Sequence, residues 1–142
     1  MKAPRIFLTD NPGEGVRAAI EDPLVRVSNE KAGSPYDPRP LVITIADPES
    51  GEVLGGLWGR TARRYLSIEL VYVPDAWRGA GLGHRLVEMA EDEARRRGCV
   101  GVWLDSYSFQ APEFYERLGY EEFGVLDDYP PGHRRHFFRK RL

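Results

Sequence analysis

Six consecutive residues, Arg78-Gly79-Ala80-Gly81-Leu82-Gly83, combine features that suit an anion. Glycines at alternate positions leave main chain without Cβ atoms, so a phosphate can come close to the backbone. A run with helical periodicity follows at once, and the free N–H groups and positive dipole end of a helix start attract negative charge. Arg78 adds a cation just before it. Taken alone, three glycines ahead of a helix also make a tight turn with no ligand. Two nucleotide motifs fail on spacing. A P-loop ends in Gly-Lys-Ser/Thr, whereas Gly83 is followed by His84-Arg85. A dinucleotide fingerprint has glycines at its first, third and sixth places, and the sixth place is His84 counted from Gly79 or Leu86 counted from Gly81.

These residues need a strand before them and a helix after. Tyr65 to Val73 is the clearest strand of the chain; alternation puts Leu66, Ile68, Leu70 and Tyr72 on one face and Ser67, Glu69, Val71 and Val73 on the other. After the glycines, Leu82, Leu86, Met89, Ala90 and Ala94 mark one face of the strongest helix. Glu91–Arg95, Asp92–Arg96 and Glu93–Arg97 are i,i+4 pairs of about 0.3 kcal/mol each, and Gly98 closes the helix. Val100 to Leu104 reads as a buried strand, Ala111 to Leu118 as a short helix, and Tyr120 to Gly124 with His136 to Leu142 as a last strand pair. Upstream, Arg5 to Thr9 reads as a strand, Glu14 to Ile20 as about two helical turns ahead of Pro23, and Ser28 to Pro40 as a loop. Leu41 to Ala46 and Val53 to Gly59 are strands joined by the turn Pro48 to Gly51. Strand, glycine turn, helix, strand is a βαβ unit, so its two strands lie parallel and adjacent. The glycine turn then sits at the C-terminal end of a parallel strand, where α/β sheets bind ligands. The expected fold is α/β (α+β): a mixed, mostly antiparallel sheet of roughly six to seven strands with a parallel central pair and helices on both faces. No repeat or linker divides it, so a single domain over residues 1–142 is expected.

The spacing that does match is Arg-x-x-Gly-x-Gly, after a strand ending Val71-Tyr72-Val73-Pro74. It resembles the acyl-CoA motif of the GNAT superfamily of N-acetyltransferases. Downstream, Ala111-Pro112-Glu113-Phe114-Tyr115-Glu116-Arg117-Leu118-Gly119-Tyr120 is similar to that family's Ala-x-x-Phe-Tyr-x-x-x-Gly-Phe/Tyr segment. Two motifs in the right order, with a strand between, are far more specific than either alone. The resemblance runs from Leu66 to Gly124 and implies the acyl-CoA N-acyltransferase fold. It also implies acetyl-CoA as co-substrate, no metal, and an amine acceptor attacked directly in a ternary complex. By position, Val71 and Val73 offer backbone groups to the pantetheine arm, and Arg78, Gly79, Ala80, Gly81, Leu82 and Gly83 wrap the pyrophosphate. Where many members carry Asn, this chain has Ser108, which keeps a hydroxyl for the coenzyme but loses the amide.

Acetyl transfer to an amine needs a base for the ammonium proton and an acid for the departing thiolate. The resemblance points to Tyr115 as the acid: a phenol of pKa ~10 stays protonated at neutral pH beside a thiol of pKa ~8.5. Glu69 is the candidate base, and its bland alternative is a solvent-facing strand residue. N–H donors near Val71 suit the negative charge that builds on the carbonyl oxygen. The acceptor pocket is expected from the loop Ser28 to Pro40, the Glu69 strand and the loop Leu126 to His133, where Asp127 and Asp128 suggest a cationic amine. Two other readings remain: a CoA-binding regulatory module without turnover, and a protein lysine or N-terminal acetyltransferase.

Composition excludes other classes. The 142 residues are 42% hydrophobic and 30% charged, with a formal charge of -2, which gives no pull toward nucleic acid or anionic membrane. A lone cysteine, Cys99, asks for no oxidising compartment and reads as small and buried. No signal peptide or membrane span is legible, so a soluble, cytoplasmic protein is expected. His133 and His136 lack partners for a metal set, and His84 reads as a surface residue. The basic C-terminal run Arg134, Arg135, Arg139, Lys140 and Arg141 guards an edge strand, which in turn makes a homodimer plausible. Trp58, Tyr72 and Trp103 read as packing, although an aromatic near the acceptor can stack on a cation.

Overall fold

A computed structural model describes residues 1–142, which divide into two compact units, Met1–Tyr36 and Asp37–Leu142. In the first, the strand expected at Arg5–Thr9 does not form, and Ile6, Phe7 and Leu8 are exposed. Helix α1, Val16–Ala32, starts after Gly15 (φ 83) and ends at Gly33 (φ 70), whose N–H donates to the Asn29 carbonyl. It runs on through Pro23 and Ser28, where a stop and the start of a loop are expected. Proline removes one backbone donor, but Ser28-Asn29-Glu30-Lys31-Ala32 can all continue a helix, so the break waits for a glycine.

The second unit holds β1 (Arg39–Ala46), β2 (Val53–Ala62), β3 (Tyr65–Tyr72), α2 (Leu82–Arg96), β4 (Gly101–Tyr107), α3 (Pro112–Arg117), β5 (Glu121–Asp127) and β6 (Arg134–Arg141). The strands form one sheet in the order β1-β2-β3-β4-β6-β5, in which β3 and β4 are the parallel pair and every other pairing is antiparallel. This mixed sheet with a central parallel pair and flanking helices is the architecture that the element order indicates. The core is built from Leu41, Leu57, Leu66, Ile68, Val102, Leu104 and Phe138 of the strands with Leu86, Val87, Ala90 and Ala94 of α2. The small Ala90 and Ala94 let α2 lie close on the sheet.

Three expectations about side chains are corrected. Met89 is 44% exposed, and Val87 takes its place in the core. Glu91 does not pair with Arg95; it is buried, and the ion pairs along α2 are Asp92–Arg95, Glu93–Arg96 and Glu93–Arg97. Most consequential is β3. Its pairing with β2 shifts between Trp58↔Leu70 and Gly59↔Ile68, so Glu69 is the extra residue of a β-bulge. A bulge resets the alternation of the strand that carries it. Leu70 and Tyr72 therefore leave the core face, at 66% and 55% exposure, while Val71 and Val73 return to it.

The same bulge opens the sheet. β3 and β4 pair only from Tyr65↔Gly101 to Ile68↔Leu104, although β3 continues to Tyr72 and β4 to Tyr107. Beyond Ile68 the two strands diverge and leave a cleft lined by backbone N–H and C=O groups.

Candidate active site

The glycine turn stands at the end of this cleft. β3 runs through Val73-Pro74 into a single 3-10 turn, Asp75–Trp77, and then into the glycines. Gly79 and Gly81 have φ of 83 and 77, a left-handed conformation that side chains resist, and a Cβ at either would meet nothing within 4 Å. Conformation, not crowding by the protein, demands glycine there, and the space beside the main chain is open. Gly81 is the N-cap of α2 and supplies no side-chain hydrogen bond, and the first turn has no acidic residue. The first N–H groups of α2 thus point outward with no internal acceptor, an arrangement that fits a diphosphate. Gly83 has a separate reason to be glycine: a Cβ would lie 3.3 Å from Cζ of Phe114, so its absence lets α3 seat against the start of α2.

Arg78 is held back along the strand. Its Nε donates to the Val73 carbonyl at 3.0 Å, and the guanidinium pairs with Asp75 at 2.9 Å. The main chain of Val73 is therefore partly engaged by Arg78, while the side chains of Val71 and Val73 pack against the core. Ala80 is exposed and Leu82 half-buried. Ser108 faces the β5–β6 loop: its hydroxyl accepts the Arg134 N–H at 3.0 Å and lies 3.4 Å from Nδ1 of His133.

Tyr115 lies on α3 with its ring among Phe114, Tyr120 and Phe138. Burial, reinforced by the negative charge of Asp105, pushes its phenol up from 10.0 to about 12. The hydroxyl is thus firmly protonated at neutral pH. Glu69 sits on the bulge, opposite in face to Tyr115's neighbour Phe138, with its carboxylate 3.6 Å from Nε of Arg60 and about half exposed. His133 meets Phe109 and Ser108, whereas His136 bonds Glu122, so the two imidazoles serve different partners.

Sequence reasoning missed a group on β4 and β6. Asp105 accepts two hydrogen bonds from Arg135, at 2.7 and 2.8 Å, and both side chains are largely buried. The Arg135 guanidinium also lies over the rings of Tyr107, Tyr129 and Phe137 at 5.0 to 5.5 Å. The Asp105 carboxylate raises the Arg135 pKa further, so the guanidinium keeps its charge. The signal available was an Asp inside the run Val102-Trp103-Leu104-Asp105-Ser106, where a buried strand tolerates a charge only with a partner. The expectation that Arg135 guards an edge strand is corrected, because β6 lies between β4 and β5.

Comparison with known proteins agrees with this geometry. The family model described as the Acetyltransferase (GNAT) family matches residues 14–120. An acetyltransferase of Agrobacterium fabrum is 40% identical over 135 residues, covering 95% of this chain and 97% of its relative. The blasticidin-S acetyltransferase of Streptomyces morookaense is 44% identical over 107 residues, covering 73% of this chain and 79% of that protein. A crystal structure of an acetyltransferase from Agrobacterium tumefaciens superposes with a TM-score of 0.90 at 38% identity, over 98% of this chain and 100% of that one. No helix of the chain is long and apolar enough to cross a membrane. With the cleft between β3 and β4, the glycine turn and these relatives in view, the chain belongs to the GNAT family of N-acetyltransferases.

Proposed function

We propose that the protein transfers an acetyl group from acetyl-CoA to a primary amine of a small molecule, by direct attack with both substrates bound. The observation that carries this reading is the uncapped, glycine-opened start of α2 at the mouth of the β3–β4 cleft, with the protonated Tyr115 on the adjoining helix. Acetyl-CoA supplies an activated thioester carbonyl. The N–H groups from Gly79 to Gly83 hold its diphosphate, where a Cβ at 79 or 81 would stand in open space. Unpaired main-chain groups of β3 beyond the bulge hold the pantetheine arm, and an N–H near Val71 steadies charge on the carbonyl oxygen. Tyr115 donates its proton to the departing sulfur. Glu69 takes a proton from the acceptor's ammonium, directly or through water, and the free amine then attacks the carbonyl carbon; Trp58, Leu70 and Tyr72 are exposed on the same two paired strands. Arg60 now shares the Glu69 carboxylate, so a cationic acceptor competes with that guanidinium for it.

The relative named blasticidin-S acetyltransferase supports a small acceptor, and the exposed carboxylates of Asp127, which Arg134 also holds, and Asp128 at the end of β5 suit a cationic one. Titration calorimetry with acetyl-CoA, followed by thiol release across a panel of amines, amino acids and antibiotics, tests the proposal. Binding at micromolar concentration and thiol release with one class of small amine are expected. No heat with acetyl-CoA or CoA sinks the assignment. Binding without thiol release marks a regulatory module instead, and acetyl groups appearing only on proteins mark a protein acetyltransferase. Glu69→Gln is expected to lower kcat by about 10²-fold with little change in KM for acetyl-CoA.

A further inference from the structure

We propose that Glu91, Tyr120 and Lys140 form a strut that positions Tyr115 relative to the coenzyme-binding end of α2. The inference rests on the reading of Tyr115 as the general acid. Glu91 lies on α2, the helix whose start is the glycine turn, nine residues and about 14 Å beyond Leu82. Its carboxylate is buried and does not face solvent as the helix pattern predicts. One oxygen accepts the Tyr120 hydroxyl at 2.7 Å, and both accept the Lys140 ammonium at 3.1 and 3.2 Å. Lys140, on β6, also donates to the Leu118 carbonyl at 2.9 Å, and its ammonium lies over the Tyr120 ring.

All of these contacts converge on the turn that ends α3. Tyr120 and Leu118 both donate their N–H to the Tyr115 carbonyl, at 3.0 and 3.1 Å. The Tyr120 ring stands edge-on to the Tyr115 ring with centroids 6.0 Å apart. A hydroxyl, an ammonium and a carboxylate from three separate elements therefore fix the backbone and the ring wall of Tyr115. Such a buried charged network is costly to assemble, and apolar groups of similar volume would hold the fold about as well. Precise placement of the phenol is what the network adds. A misplacement on the order of 1 Å reduces turnover without weakening coenzyme binding, since the glycine turn is untouched.

The test uses the full chain with Glu91→Gln, Tyr120→Phe and the apolar double variant Glu91→Leu/Lys140→Met. Two readouts are taken: kcat and KM for acetyl-CoA with an amine the wild type acetylates, and the 19F spectrum of ligand-free protein carrying 3-fluorotyrosine. The chain has seven tyrosines, and Tyr115→Phe assigns the signal of interest. Glu91→Gln is expected to lower kcat by about tenfold, to leave KM for acetyl-CoA within about twofold, and to shift and broaden the Tyr115 resonance. The double variant is expected to melt close to the wild type and still lose turnover. An unmoved Tyr115 resonance in Glu91→Gln overturns the proposal. So does a kcat within twofold of wild type, or a loss that follows the melting temperature and disappears in the stable double variant. Should the wild type acetylate no amine, the functional reading fails, while the 19F comparison still decides whether the strut holds Tyr115.

Discussion

The most informative single perturbation is Tyr115→Phe, read as a function of pH. Burial and the Asp105 carboxylate raise the phenol from 10.0 to about 12, which disfavours the phenolate by about 3 kcal/mol. At pH 7 roughly one phenol in 10⁵ is ionised, so the acid form is saturated across the physiological range. Turnover limited by proton donation to sulfur should therefore show no decline attributable to this residue up to about pH 10. Removing the hydroxyl leaves the sulfur to leave as thiolate, with an expected kcat loss of about 10²-fold and little change in KM for acetyl-CoA. Stability follows the same shift with a definite sign. The folded state holds this proton where the unfolded chain releases it, so the contribution is intact below pH 10 and is lost as pH rises toward 12. Tyr115→Phe should remove that part of the alkaline destabilisation. Thiol release measured from pH 6 to 10, alongside urea melts over the same range and above, checks both claims. A variant that keeps a third or more of wild-type kcat, or a wild-type basic limb near pH 8 that disappears in Tyr115→Phe, would refute the reasoning.

Other expectations follow from the same geometry. Gly81→Ala forces a residue with a Cβ to φ 77, at about 1–2 kcal/mol, so melting should fall by roughly 3–8 °C and KM for acetyl-CoA should rise. Bound coenzyme should recover part of that melting loss, as thermal shift can show. Asp105→Asn leaves the Arg135 guanidinium among rings without its carboxylate, and about 1–3 kcal/mol of stability should be lost in urea titration. The same change removes the second cause of the raised Tyr115 pKa, so any alkaline limb of kcat should move to lower pH. A Gly83→Ala variant should show its effect through α3, with altered kcat, because the added methyl meets Phe114 at 3.3 Å.

What could be read from the chain alone was whatever is encoded over short spans. The glycine turn, the long helix behind it and the Ala111–Tyr120 segment are local patterns, and each reports its own backbone preference without help from the rest. Strand positions from Leu41 onward were legible for the same reason, though the strand expected at Arg5–Thr9 does not form, and their order was enough to require a parallel central pair. Features that depend on a distant partner were not legible. The bulge at Glu69 is a property of two strands, and it reversed the assignment of Leu70, Val71, Tyr72 and Val73 to faces. Glu91 looks like its solvated neighbours Asp92 and Glu93 until Tyr120 and Lys140 are brought beneath it. Asp105 and Arg135 lie thirty residues apart, and only the insertion of β6 beside β4 makes them one ion pair. Helix α1 shows the converse: none of its residues is buried, and its ends fall at the glycines rather than at Pro23. Periodicity reveals which residues prefer to be buried; only the packed sheet decides which charges must go in with them and what meets them there.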